Sequence, residues 1–348
     1  MESRASIRSM NPSLDNGHRV DIPLSPRDDL ASLLKAAGDS RRLEVLRALR
    51  ANAFGALELA DIFAMRQNTM SHHLKLLTRA GLVSYRREGT HIFYRRTAPD
   101  DALRREILAA VDALPLSAPV SARIRVIETA RAATSREFFR ANADKFRAQQ
   151  DLIAGYPQYG EAVIATLDRL PSNSTCTVLE VGPGEGELLA DLHPRFARVV
   201  ALDNAAEMLE RSRQFAAAQG LAGIDFVHGD TTDAVTQGLS SAVITLNMVL
   251  HHTPTPAAVI ADLAQVLEPG GVLLVTELCR HDQDWARPAC GDLWLGFEPD
   301  DLTRWAADAG LADGATEYLP LKNGFRVQLR QFIRPATGAV PATPGNTA

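Results

Sequence analysis

The stretch from Thr177 to Leu192, TVLEVGPGEGELLADL, constrains the fold of this chain more than any other. An apolar run from Val178 to Val181, broken by one carboxylate at Glu180, meets glycines at 182, 184 and 186. A helical pattern through Leu188, Leu189 and Leu192 follows at once. Strand, tight turn and helix start are thus joined without a spacer. Glycine suits such a turn because it accepts positive φ and lets a ligand approach the bare backbone. The helix start behind it offers unpaired N–H groups and a partial positive charge. The spacing is GxGxG and not the GxGxxG of dinucleotide folds. A plain βα turn therefore stays open for this stretch alone, and its neighbours decide.

Downstream, strands and helices alternate, which predicts a parallel α/β sheet. Arg198 to Leu202 reads as a strand ending at Asp203, 21 residues past Gly182, the spacing that puts an acid on ribose hydroxyls in nucleotide-binding βαβ units. Ala205 to Ala218 reads as a helix with Met208 near its start, and Ile224 to His228 as a strand ending at Gly229-Asp230. Ala242 to Met248 is a further strand, Pro256 to Leu267 a helix, and the turn Glu268-Pro269-Gly270-Gly271 leads into a strand from Val272 to Glu277. Acids or amides thus stand at the C-terminal ends of successive strands: Glu180, Asp203, Asp230 and Asn247. Open α/β sheets bind ligands in that crevice.

The motifs LEVGPGEGELL, VVALDNAAEML, VHGDTTD, NMVLHH and LEPGGVLLVTE, in this order, resemble the class I S-adenosylmethionine-dependent methyltransferases of the small-molecule type, over about residues 138–335. The resemblance implies a Rossmann-like seven-stranded fold that binds S-adenosylmethionine or S-adenosylhomocysteine. It implies that Glu180 and the loop glycines Gly182, Gly184 and Gly186 face the methionine part, that Asp203 binds the ribose, and that Met208 and Asp230 bind the adenine. Asn204 and Thr231 complete the cofactor-binding set, and Asn247 lines the methyl-acceptor side. His251-His252 reads either as the turn after the fourth strand or as a catalytic pair. No catalytic residue is assigned, because a sulfonium methyl is already activated and transfer rests largely on positioning and desolvation.

Upstream, the informative stretch is ALELADIFAMRQNTMSHHLKLLTRAGLVSYRREGTHIFYRR. It predicts a short helix from Ala56 to Phe63, a turn from Ala64 to Gln67 and an amphipathic helix from Asn68 to Ala80, closed by Gly81. At 100° per residue Met70, His73, Leu74 and Leu77 share one side. Asn68, Thr69, Ser71, His72, Lys75 and Arg79 provide amides, hydroxyls, an imidazole and cations on the outward side, groups that meet base edges and phosphates in a major groove. Two β-rich runs around Glu88-Gly89 form a hairpin. Its Arg86, Arg87, His91, Arg95 and Arg96 are placed to follow the backbone or enter a minor groove. Residues 1–150 hold 25 Lys/Arg against 17 Asp/Glu within a chain of net charge −5. The excess of cations in the first part and of anions in the second points to a polyanion partner for the first part alone.

LADIF, NTMSHHLKLLTRAGLV and YRREGTHIFYRR resemble the ArsR family of winged helix-turn-helix repressors. The resemblance implies a homodimer whose recognition helices read half-sites of double-stranded operator DNA. It departs where metal-sensing members carry cysteines, here ALELADIF, and the helix ALRREILAAV lacks their paired Asp/His ligands. No metal is therefore expected.

The fold class expected is a mainly-α winged helix-turn-helix followed by an α/β Rossmann-like domain. The boundaries are a flexible arm at 1–27, the DNA-binding domain at 28–110, a helical linker, dimer and pocket-closing segment at 111–160, the S-adenosyl-ligand domain at 161–334 and a disordered tail at 335–348. Leu103, Ile107, Ala110 and Leu114 form an apolar stripe that serves a core or a dimer seam equally. Pro115 and Pro119 break the helices, and Phe138, Phe139 and Phe146 are placed to close over a pocket. No apolar run approaches the ~18 residues of a membrane span. Three scattered cysteines make neither a disulfide framework nor a CxxC pair, and the cytoplasm is the expected compartment. The architecture resembles the S-adenosylhomocysteine-responsive regulators of the ArsR family, which repress methionine-cycle genes. The alternative is an active methyltransferase with an accessory DNA-binding domain. An arsenite-responsive repressor is disfavoured by the absent cysteines.

Overall fold

The computed structural model describes residues 25–88, 91–98, 101–170 and 175–336. Residues 1–24 and 337–348 lie outside them, and with them most of the expected arm and tail; Pro26 and Arg27, expected in the arm, open the first helix.

In the first part the order is α1 (Pro26–Ala37), α2 (Ser40–Ala48), β1 (Phe54–Gly55), α3 (Ala56–Ile62), α4 (Gln67–Arg79), β2 (Val83–Glu88), β3 (His91–Arg96), α5 (Ala102–Asp112) and α6 (Ala118–Asn142). Local chemistry sets the ends. Ser25 and Asp39 accept hydrogen bonds from the backbone N–H groups of Asp28 and Arg42, capping α1 and α2. Gly81 takes φ +67° after α4, where the chain turns into the hairpin. The small sheet runs β1-β3-β2, with Val83 opposite Arg96 and Glu88 opposite His91. Met70, Leu74 and Leu77 of α4 are buried with Leu46, Leu59, Ile62 and Leu82 in one core.

One expectation changes here, and one that had two alternatives is narrowed. Pro119 does not break a helix; it stands in the first turn of α6, where its missing N–H costs nothing. The stripe Leu103, Ile107, Ala110 and Leu114 is not the buried face of α5: Leu108 and Val111 are buried, while Leu103 and Leu114 remain 45% and 49% exposed. A periodic stripe identifies a helix face, but neighbours choose which face is covered.

α7 (Phe146–Gln150) and α8 (Tyr156–Leu167) lead into the second part. There follow β4 (Thr177–Val181), α9 (Glu187–Leu192), β5 (Arg198–Asp203), α10 (Ala206–Ala218), β6 (Ile224–His228), α11 (Thr231–Thr236) and β7 (Ser241–Asn247). The chain ends with α12 (Pro256–Val266), β8 (Leu267–Leu278), α13 (Ala286–Cys290), α14 (Pro299–Asp308), β9 (Ala312–Pro320) and β10 (Arg326–Ile333). Seven strands make one sheet in the order β6-β5-β4-β7-β8-β10-β9. The first five are mutually parallel, and β10 runs antiparallel between β8 and β9. The near-continuous apolar runs of β4, β5, β7 and β8 fit a sheet covered on both faces, and apolar clusters lie on each side. The strand order reverses at β4 and β7, so their C-terminal ends open a crevice. No helix among the described residues is long and apolar enough to cross a membrane.

Candidate ligand site and nucleic-acid face

Gly182 and Gly184 follow β4 with φ of +67° and +59°, and Gly186 at +93° is the N-cap of α9. At Gly182 an added Cβ would stand 2.5 Å from Cγ2 of Val249, and at Gly184 it would stand 3.0 Å from Phe146. Gly182 and Gly184 line a hollow of about 670 Å³ with Asp203, Asn204, Met208, Asn247, Val249, His252, Phe139 and Phe146. It shares Gly182, Asp203, Asn204 and Val249 with an adjoining hollow of about 770 Å³ that reaches Asp230 and Thr231.

Two of the loop-associated residues stand back from this space. Gly186 packs against Ser212 and Phe215, and Glu180 is 2% exposed behind the loop. The Glu180 carboxylate accepts from Thr245 Oγ1 and from Asn247 Nδ2 at 3.2 Å, and Asn247 Oδ1 accepts from Thr276 Oγ1 at 2.5 Å. Burial pushes the Glu180 carboxyl up to about 8 against those two hydrogen bonds. Its role is to tie β4 to β7 beneath the loop, while Asn247 keeps one side toward the hollow.

Asp203 ends β5 and accepts from the Ala205 N–H at 2.8 Å. Burial raises its carboxyl to about 6, opposed by that hydrogen bond. Asp230 caps α11 by accepting from the Asp233 N–H, and Thr231 donates to Asp262 at 2.8 Å. Met208 is buried beside Phe146 and Ala143.

Beyond the expected Phe139, the sequence missed the small and charged residues that α6 contributes. Ala132, Ser135 and Phe139 line the first hollow, and Ala132 with Arg136 the second. No residue pattern marks this, because small side chains on a long polar helix carry no periodic signal. Of the aromatic trio, Phe139 and Phe146 line the hollow, whereas Phe138 packs over Gly291. Phe139 meets His252 edge to face at 4.9 Å.

On the other part, Asn68, Thr69, Ser71, His72, Lys75 and Arg79 all lie exposed along α4. His73 is half-buried, and burial lowers its imidazole, with Asp39 opposing. Arg87 is exposed on the hairpin. The His91 side chain lies outside the described residues. Arg86 turns away from this face: it donates to the Gly296 carbonyl at 3.1 Å across the boundary between the two parts. Arg95 pairs with Asp301, and Arg50 with Asp308 at 3.6 Å. Part of the charge asymmetry is therefore satisfied within the molecule, which sequence totals do not distinguish from an external polyanion.

The same boundary carries apolar contacts. Phe93 of β3 meets Trp294 at 5.9 Å, the Arg131 guanidinium lies 5.0 Å from the Trp294 ring, and Trp294 Nε1 donates to the Thr253 carbonyl at 2.8 Å. Arg131 also donates to Glu58 of α3 at 2.7 Å, and Arg123 to the Ile62 carbonyl at 2.9 Å. α6 is thus common to both parts. Its Val120 and Ile124 are buried in the first core, and its Phe139 lines the hollow of the second.

Comparison with known proteins agrees with this division. A helix-turn-helix domain model matches residues 38–86 and a methyltransferase domain model matches residues 179–275. The chain is 29% identical over 229 residues to a ubiquinone biosynthesis O-methyltransferase of Xanthomonas axonopodis pv. citri, covering 58% of this chain and 94% of that protein. It is 27% identical over 167 residues to the enzyme of the same name from Erwinia tasmaniensis, covering 43% and 68%. Among solved structures, magnesium protoporphyrin IX methyltransferase from Synechocystis PCC 6803, crystallised with S-adenosylhomocysteine, is similar with a TM-score of 0.50 at 17% identity, over 59% of this chain and 99% of that one. At that identity the likeness is one of fold. The chain joins an N-terminal helix-turn-helix domain to a methyltransferase domain of the class I fold.

Proposed function

We propose that this protein is a DNA-binding transcriptional regulator, a repressor of the ArsR type, whose methyltransferase-like domain holds S-adenosylhomocysteine or S-adenosylmethionine as effector. The observation that carries the reading is α6. One helix supplies buried residues to the helix-turn-helix core and lining residues to the hollow, so an occupant that shifts Phe139 shifts a rod seated against α3. Coupling of this kind requires that the ligand favour one of two DNA-binding states.

The hollow suits an adenosyl ligand. Asp203 offers a carboxylate for ribose hydroxyls, the bare backbone at Gly182 and Gly184 admits close approach, and Asp230 and Thr231 stand at the far end, where the adenine would lie. The methionine end would then face Asn247 and His252. In the dimer that this reading requires, α1 and α5 supply the seam. Their Leu30, Leu34 and Leu103, with Leu114 just past α5, are 44% to 56% exposed, apolar surface available to a second copy. Genes of the S-adenosylmethionine cycle are the targets that the family resemblance implies, and the cytoplasm is the compartment.

A second reading, an active methyltransferase with an accessory DNA-binding domain, is favoured by the enzymes among its relatives and by His252. Burial and the neighbouring His251 hold the His252 imidazole well below its usual range, hence neutral beside the hollow. Titration of the DNA-bound protein with each adenosyl ligand separates the readings. A change in DNA affinity caused by S-adenosylhomocysteine, without turnover, supports the regulator. Indifference of DNA binding to both ligands overturns it.

A further inference from the structure

Beside the adenosyl hollow lies a smaller one of about 320 Å³, lined by Phe146, Gln149, Met248, His251, His252, Cys290 and Asp292. His251 and His252 follow β7, and Asp292 follows α13, so two separate loops meet there. We propose that His251, His252 and Asp292 bind one divalent transition-metal ion of the zinc class, clamping these loops together.

Four observations carry this. First, one donor atom from each of the three residues lies within 4.8 Å of the others. Second, both Asp292 carboxylate oxygens are buried without a hydrogen-bond partner among the described residues, although the residue is only 3% exposed. A buried carboxylate left so carries a desolvation cost that a bound cation offsets. Third, the separations are wrong for hydrogen bonds and suited to a shared ion. His251 Nε2 stands 3.9 Å and His252 Nδ1 3.8 Å from Asp292 Oδ1; His252 Nδ1 also donates to the Gly291 carbonyl at 3.2 Å, a bond and a proton it gives up when it binds the ion. Donors ~2.1 Å from a tetrahedral ion stand about 3.4 Å apart, so each histidine needs to approach Asp292 by only about half an ångström. Fourth, His251 is already oriented: its Nδ1 lies 2.6 Å from Glu277 Oε1, which leaves Nε2 toward Asp292. A carboxylate behind a histidine is the usual support of a zinc ligand.

The three protein donors leave the fourth position of a tetrahedral site open. The ion would fix Asp292, two residues from Trp294, and Met248 and His252 at the rim of the adenosyl hollow. It would stiffen the path between that hollow and β3.

The test uses the full-length, tag-free protein, dialysed against a chelator and titrated with zinc by calorimetry and with cobalt by absorption spectroscopy. We expect one equivalent of zinc with a dissociation constant below micromolar, and intense d–d bands from a tetrahedral cobalt site. Asp292→Asn and His252→Ala should each weaken zinc binding at least 100-fold, and Glu277→Gln about 10- to 100-fold. Asp292→Asn is nearly isosteric, breaks no hydrogen bond and removes a buried charge, so without metal it should melt no lower than the parent. No stoichiometric zinc in the parent protein, or parental affinity in both Asp292→Asn and His252→Ala, would overturn the proposal. Neither readout involves DNA or an adenosyl ligand.

Discussion

Gly182→Ala tests the hollow with a built-in control. Gly182 has φ +67°, and its added methyl would stand 2.5 Å from Val249 Cγ2. Gly238 has nearly the same φ, +68°, with nothing within 4 Å of its added methyl. Left-handed backbone costs an L-residue about 1–2 kcal/mol, and both variants carry that term. Only Gly182→Ala carries the overlap, worth about 1–3 kcal/mol for an inserted methyl in a packed site. Val249 is β-branched and cannot swing freely, and it lines both hollows, so relief comes by pushing it into the ligand space. If half or more of that energy falls on the bound state, affinity drops about tenfold for each 1.4 kcal/mol. Calorimetry with S-adenosylhomocysteine should show Gly182→Ala weakened about 2- to 100-fold and Gly238→Ala unchanged. Both should melt lower, by about 2–8 °C for the shared term. Equal affinities in the two variants would refute the assignment of this loop to the ligand.

On DNA, Lys75→Ala or Arg87→Ala should weaken binding and reduce the salt slope by about one contact each, whereas Arg86→Ala, whose guanidinium bonds to the Gly296 carbonyl, should leave the slope unchanged; a filter-binding series in salt reads both. Trp294→Phe keeps a ring against Phe93 but removes the N–H donated to Thr253. The effect of ligand on DNA affinity should fall about fivefold while each separate affinity holds, and an undiminished effect would remove Trp294 from the coupling path. Asp203 has a folded-state pKa near 6, above its unfolded value near 4, so the folded state takes up a proton in that window. Its contribution to stability therefore falls as pH rises from about 4 to 6. Ribose hydroxyls need the ionised acceptor, so adenosyl affinity should fall as pH drops through about 6. Asp203→Asn should bind more weakly and flatten both profiles.

Much of the site was legible because strand ends and turns are written locally. Gly182, Asp203 and Asp230 stand where hydrophobic runs stop, and a parallel sheet brings such stops to one crevice whatever fills its core. Gln67–Arg79 was readable for the same reason: its polar and apolar faces separate at the helical period, and the polar face is the exposed one. Glu180 shows the limit. Its place at the strand was plain, but only the packed β7 reveals that Thr245 and Asn247 hold it beneath the loop.

By itself, then, the sequence determined two folding units, the glycine turn, the carboxylates at strand ends and the amphipathic reading helix, because each depends on residues close in the chain. The tertiary structure decided what depends on residues far apart. It turned Arg86 toward Gly296 and Arg95 toward Asp301, and it left Leu103 and Leu114 uncovered. It also brought Asp292 to His251 and His252, and laid one helix across both units. Burial and charge pairing are properties of proximity in space, and no period or spacing along the chain encodes which distant surface arrives.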